Sequence, residues 1–251
     1  MKIVWLASYP KSGNTFIRML LHTYYFGKSQ DSEEIARKIP DLHQLLSQKK
    51  VLDVQADQKI FVKTHFCLSA THPYAEATTG FIYILRDPRD VLISNARYHG
   101  LDKNPDDLRK FAISFINNYG VLRWRQMNMG SWPEHVSSWL YSVNKIPQIF
   151  VKYADLRTDT ANALKRVVSF LGEEAEDSRI QMAVEHCAID KARQFEIEEK
   201  KQGRNNIYVD LPNGASFVGE GKISQSLAHI GEDVESLYQE KFGKFVHMFG
   251  Y

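Results

Sequence analysis

The chain has 251 residues, of which 43% are hydrophobic and 25% charged, with a net charge of +2. This composition fits one globular domain and excludes a disordered or repetitive chain, and so small a net charge excludes a global attraction to nucleic acid. No apolar run approaches the roughly 18 residues of a membrane helix, no leader pattern opens the chain, and Cys67 and Cys187 form neither a disulfide framework nor a metal spacing. The expectation is a soluble cytoplasmic protein in a reducing compartment, with any positive site confined to a local cluster.

Ile3 to Ala7 reads as a buried strand. The segment Ser8 to Thr15 follows, reading Ser-Tyr-Pro-Lys-Ser-Gly-Asn-Thr. A standard phosphate loop reads G-x-x-x-x-G-K-[ST]. On that frame Ser8 replaces the first glycine, Gly13 keeps the second, Asn14 replaces the lysine and Thr15 keeps the hydroxyl. The only lysine of the loop, Lys11, lies inside it. From Asn14 onward Phe16, Ile17, Leu20 and Leu21 recur at helical spacing, and Gly27 supplies a stop. Strand, glycine loop and helix form the context such a loop requires.

Residues 28–58 are more polar and read as helix packed loosely outside the sheet. Ile60 to Thr64 and Phe81 to Leu85 are the next strands. Asp87-Pro88 opens a helix, with Asp87 as its cap and Asp90 in the first turn. Leu108 to Trp124 reads as mainly helical, and Ser131-Trp-Pro-Glu134 is a capping box. Ile149 to Lys152 is a strand, and Thr160 to Leu171 a helix ended by Gly172. Residues 193–221 are the least regular, with Gly203, Asn205, Asn206 and Pro212-Asn-Gly214, and a mobile loop ordered by ligand is expected there. Helix returns from Ser226 to Phe242. Strands alternating with helices predict a single α/β domain over residues 1–251, P-loop-like, with a central, mostly parallel sheet flanked by helices.

Four separated segments converge on one family. Tyr9-Pro-Lys-Ser-Gly-Asn-Thr-Phe16 resembles the 5′-phosphosulfate loop of sulfotransferases that use 3′-phosphoadenosine 5′-phosphosulfate (PAPS). Arg86-Asp-Pro-Arg-Asp-Val-Leu-Ile-Ser94 resembles that family's 3′-phosphate motif, Lys63-Thr-His65 the strand end carrying its catalytic histidine, and Gly130-Ser-Trp-Pro-Glu-His-Val136 an acceptor-side segment. In the tail, Phe217-Val-Gly-Glu-Gly221 with Gln225-Ser-Leu227 and Gly231-Glu-Asp-Val-Glu-Ser236 is similar to bacterial sulfotransferases that modify glycopeptide antibiotics. The cytosolic animal enzymes carry an Arg-Lys-Gly in that tail, where this chain has Gly219-Glu-Gly221.

The resemblance implies sulfuryl transfer from PAPS to an acceptor hydroxyl, with release of 3′,5′-adenosine bisphosphate (PAP) and no metal. Backbone N–H groups of Ser12, Gly13, Asn14 and Thr15 surround the 5′ anion, since a helix N-terminus binds anions without charged side chains. Lys11 reaches the bridging oxygen, where charge accumulates as the bond breaks. His65 follows its strand at the end where open α/β sheets bind ligands, and it takes the acceptor's proton, with Lys63 supporting the leaving group. Arg86 and Ser94 hold the 3′-phosphate. Phe16 and Tyr153 flank the adenine, and Phe217, Gly221 and Lys222 complete the tail, Lys222 as a candidate for the missing basic pair.

His135 is open between an acceptor-side role and a buried structural histidine, while Trp139 reads as core. Lys200-Lys201 and the charge-rich run Glu196 to Arg204 read as a solvated mobile segment or, alternatively, as a lid over the acceptor. Loops build the acceptor wall, so only a class follows: a small molecule or glycopeptide-like natural product with a phenol or sugar hydroxyl, with no nucleic-acid or membrane partner. Two rivals stand beside this reading. One is a degenerate P-loop kinase using ATP and Mg²⁺; the other is a nucleotide-binding protein without catalysis.

Overall fold

A computed structural model describes residues 2–52, 58–142, 146–204 and 206–251. In chain order the elements are β1 (Lys2–Ala7), α1 (Asn14–Phe26), α2 (Ser32–Lys38), α3 (Leu42–Ser47), β2 (Lys59–Thr64), β3 (Thr78–Leu85), α4 (Pro88–Tyr98), α5 (Pro105–Asn117), α6 (Leu122–Gln126), α7 (Trp132–Leu140), β4 (Gln148–Lys152), α8 (Tyr153–Thr158), α9 (Thr160–Phe170), α10 (Asp177–His186), α11 (Ile189–Lys201) and α12 (Glu232–Met248).

All strand pairs are parallel and the order is β2-β1-β3-β4. Parallel strands need covered faces, and the two-residue period divides each apolar run between them. Val4, Leu6, Ile82 and Ile84 enter one core with α1, α9 and α10, while Ile3, Trp5, Phe81 and Tyr83 enter the other with α5, α7 and α12. From β1 the chain steps outward to β2 on one side, then crosses to β3 on the other. That reversal opens a crevice beyond the carboxyl end of β1, where α/β folds bind ligands. The phosphate-loop segment follows β1, His65 follows β2, Arg86 follows β3 and Tyr153 follows β4, so the topology carries all four to one edge.

The predicted strands and caps are present. Asp87 accepts from the Arg89 N–H at 2.8 Å, and Ser131 and Glu134 close the capping box on α7. Elsewhere the structure corrects the sequence reading. Residues 28–52 are anchored, since Ile35, Ile39 and Leu42 are fully buried and Arg18 of α1 donates to the Ile39 carbonyl at 2.7 Å; residues 53–57 lie outside the described residues. The helix expected from Leu108 to Trp124 breaks at Tyr119 and Gly120, with φ of +54° and +148°. There Tyr9 Oη accepts from the Val121 N–H at 2.9 Å, and a Cβ on Gly120 would fall 2.4 Å from that hydroxyl. Residues 193–201 belong to α11, Ile207 and Tyr208 are buried, and Asn205 lies outside the described residues. The last helix begins at Glu232, after a turn in which the Ile230 and Gly231 N–H groups donate to the Leu227 carbonyl and Gly231 sits at φ +157°.

Candidate active site

The loop between β1 and α1 is shaped by two left-handed residues, Lys11 at φ +69° and Gly13 at φ +101°. Successive amides turned inward by such residues form an anion-binding concavity. Helix α1 adds to it: it starts at Gly13 with no side-chain cap and no acidic residue in its first turn, so its positive end is left uncompensated. The Ser12 hydroxyl is buried without a partner among the described residues. Asn14, in the position of the usual lysine, ties the loop down, its Nδ2 donating to the Leu6 carbonyl at 2.9 Å and to Ser8 Oγ at 3.2 Å. Gly13 is required twice over, because a Cβ there would also fall 2.3 Å from Cδ2 of Tyr153.

Lys11 extends into a cavity of about 1000 Å³, also lined by Thr15, Phe16, Lys63, His65, Arg86 and Ser94. Its ammonium rests 4.6 Å from the Tyr98 ring centre and 4.1 Å from that of Phe217. Burial, then the positive Arg86, Arg97 and Lys63, bring its pKa down to about 7. An anion bound there would restore the charge that those neighbours oppose.

His65 Nδ1 lies 2.7 Å from the Ser8 carbonyl oxygen. A carbonyl only accepts, so Nδ1 carries the proton and Nε2 keeps its lone pair. Burial, then Lys63, hold this imidazole well below its ordinary pKa, with Asp41 opposing them. Lys63 is ion-paired with Asp41, which caps α3 by accepting the His43 N–H at 3.0 Å. Burial works against the Asp41 charge, but Lys63 and Arg18 outweigh it and hold the carboxyl below its usual range. His135 resolves as structural. It is fully buried, donates from Nε2 to the His65 carbonyl at 3.0 Å and accepts the Tyr83 hydroxyl at 2.8 Å on Nδ1; burial brings its pKa down to about 3.

Arg86 is buried and lies 4.2 Å from the Tyr153 ring centre. Its two Nη atoms donate to the carbonyls of Lys11 and Lys222, each at 3.0 Å, stitching the loop to the tail, while Nε is left without a partner among the described residues. Both Nη atoms are thus engaged by main chain, and Nε is the Arg86 donor left for an anion. The Lys222 side chain is 65% exposed and pairs with Glu220 at 2.6 Å, which turns it away from the role of substitute for the basic pair. Phe217 and Gly221 line the cavity.

The tail crosses the cavity as a strap. Glu196 of α11 accepts the N–H groups of Phe217 and Val218 at 2.6 and 2.8 Å, and Asp90 of α4 accepts those of Ser224 and Gln225 at 3.2 and 3.1 Å. Sequence reading missed Asp41, Tyr98, Arg97, Arg157, Arg193 and Glu196. For Arg97 and Tyr98 a signal existed, since they stand three and four residues beyond Ser94 on one helix. The others depend on pairings across the fold or on α8 and α11, which the sequence did not disclose.

The family of sulfotransferase domains matches residues 2–247. Rat Sulfotransferase 2A6 is 26% identical over 262 residues, covering 96% of this chain and 84% of its own length. Human Sulfotransferase 4A1 is 22% identical over 252 residues, covering 96% and 80%. Among solved structures, a mouse sulfotransferase complexed with PAP superposes with a TM-score of 0.65 at 18% identity, over 99% of this chain and 88% of that one. Retinol dehydratase in complex with retinol and PAP gives 0.62 at 20% identity, over 96% and 82%. Matched over nearly its whole length, the chain belongs to the sulfotransferase family and is a sulfotransferase.

Proposed function

We propose that this enzyme moves the sulfuryl group of PAPS to a hydroxyl of a small or medium polar acceptor, glycopeptide-like scaffolds included, in the cytoplasm. The observation that carries this reading is the convergence of Lys11, Lys63 and the lone pair of His65 Nε2 on one cavity, beside the uncapped end of α1. The acceptor oxygen attacks sulfur, and its proton passes to His65 Nε2. The bond from sulfur to the bridging oxygen breaks, and its electron pair stays on the 5′-phosphate of PAP. Lys11 meets that charge where it develops, with Lys63 beside it, so the cations required are side chains. Ser12, Gly13, Asn14 and Thr15 hold the 5′ anion, and Phe16, Tyr153 and Ser94 frame the nucleoside and its 3′ side. The residues 206–224, crossing the cavity, are the segment taken to tighten around bound nucleotide.

The acceptor class follows from the wall near His65. His43, Gln44 and Ser47, on α3, line the same cavity and give it hydrogen-bonding groups that an apolar alcohol would leave unpaired. The test is transfer of labelled sulfate from PAPS to sugars, phenols and glycopeptide scaffolds, with retinol and a steroid alcohol as apolar controls and a chelator in parallel. Polar acceptors are expected to be labelled, at the same rate with chelator. Labelling confined to the apolar alcohols would sink the acceptor assignment. Turnover of ATP with Mg²⁺ would revive the kinase, and PAP binding without transfer to any acceptor would favour a non-catalytic binder.

A further inference from the structure

The tail has Gly219 and Glu220 where related animal enzymes carry a basic pair, yet the space above it is occupied by cations from elsewhere. A Cβ built on Gly219 would fall 2.6 Å from Nη1 of Arg97, and one on Gly221 would fall 2.8 Å from Nε of Arg157. Arg193 of α11 donates to the Gly219 carbonyl at 3.1 Å. Guanidinium groups from α4, α8 and α11 thus pack onto the segment that lacks its own basic residues, and the glycines leave them room.

These arginines are not equivalent. Arg97 donates to the carbonyls of Ser216 and Val218, and Arg193 to that of Gly219, so both hold the strap. Arg157 has no hydrogen bond or ion pair among the described residues, and its Nε is buried without a partner. Asp155, two residues away, pairs with Arg166 instead. Arg157 lies 5.5 Å from the Phe16 ring centre and lines the cavity with Arg86, whose Nε is orphaned in the same way. Arg157 stands one helical turn beyond Tyr153, over whose ring Arg86 lies. A buried cationic donor without an acceptor is costly, and two of them on one cavity wall mark a place for an anion.

We propose that Arg157, together with Arg86, grips the 3′-phosphate of the nucleotide, so that the basic contact has moved from the tail to α8. The proposal rests on the PAPS reading above. It is tested by calorimetric binding of PAP and of adenosine 5′-phosphate, which lacks only the 3′-phosphate, to the wild type, Arg157→Gln, Arg157→Lys and Lys222→Ala. The wild type is expected to prefer PAP. Arg157→Gln should lower PAP affinity by about 10- to 100-fold, the worth of a charge-assisted contact, while binding of adenosine 5′-phosphate stays within about twofold. Arg157→Lys should retain part of the preference.

Retained binding of adenosine 5′-phosphate also shows that the variant is folded. An equal loss for both ligands would make Arg157 a packing residue and overturn the proposal. So would a full preference for PAP in Arg157→Gln, or a loss of preference in Lys222→Ala alone, which would return the grip to the tail; either leaves the PAPS reading standing. A wild type that does not distinguish the two ligands would overturn that reading as well.

Discussion

The two ends of the proposed nucleotide site are built in different ways. At the 5′ end one continuous segment, residues 8–18, supplies the turn, the amides, the hydroxyls and the cation. At the 3′ end the wall is assembled from β3, α4, α8, α11 and the strap, joined by single side chains such as Arg86 between Lys11 and Lys222. A site made of main chain is fixed by local geometry and tolerates change in its side chains, as Ser8 and Asn14 show. A site made of converging side chains can move its charge from one element to another while keeping its function. Substitutions at the two ends should therefore fail differently.

The largest effect is expected at the reacting end. His65→Ala removes the lone pair proposed to take the acceptor's proton, and a positioned general base contributes about 100- to 10,000-fold. Turnover should fall by that factor with PAP affinity within a few-fold of wild type, as single-turnover sulfate transfer and calorimetry would report. Turnover within threefold of wild type would remove His65 as the base. Gly13→Ala comes next. It forces an L-residue to φ +101° and drives a methyl into the Tyr153 ring. Strain of about 1–3 kcal/mol should appear as a loss of roughly 5- to 150-fold in PAP affinity. Unchanged affinity would show that neither the loop turn nor the Tyr153 contact shapes the site.

The same contrast explains what was legible in the sequence. The strands, the loop, α1 and the caps of α4 and α7 follow from local periodicity and local hydrogen bonding, and they bring Lys11, His65 and Arg86 to one cavity. Asp41 escaped notice because its meaning lies in a bridge to Lys63, 22 residues away. Arg157 escaped because α8 is a six-residue helix that follows β4 directly, with no glycine or proline to announce it. Glu196 escaped because the run from Glu196 to Arg204 carries so many charges that it reads as a solvated segment. In α11 the charges at Glu196 and Glu199 face inward, each meeting a cation and main-chain donors. Periodicity finds apolar faces, and a helix anchored by buried carboxylates gives it nothing to find.

That strap is where the 3′ end should yield under mutation. Burial alone would raise the pKa of Glu196, yet Lys200, Ser216 and the amides of Val218 and Phe217 hold it below its ordinary value. Glu196→Ala strands those donors and is expected to cost about 1–3 kcal/mol of local stability. Limited proteolysis should then cut within residues 206–224 faster than in the wild type, and PAP should slow the cutting. Equal cutting rates would mean that Arg97, Arg193 and Asp90 hold the strap without the Glu196 latch.

The smallest effect separates the two ends by charge alone. Lys11 is brought down to about 7 in the free protein, chiefly by burial, from an ordinary value of 10.5. Below pH 7 both folded and unfolded chains carry the charge, so its burial opposes folding in full. Between about 7 and 10.5 the unfolded chain binds more proton, so this group's cost to stability fades as pH rises. Ligand binding follows the same logic in reverse. An anion beside Lys11 raises its pKa again, so PAP binding near pH 8 should take up a fraction of a proton. Calorimetry in buffers of different ionisation enthalpy measures that uptake directly. Lys11→Met should abolish it, and Arg157→Gln, which leaves Lys11 and its loop in place, should not. Uptake that survived in Lys11→Met would place the titrating group elsewhere, and the cation inside the loop would no longer distinguish the 5′ end.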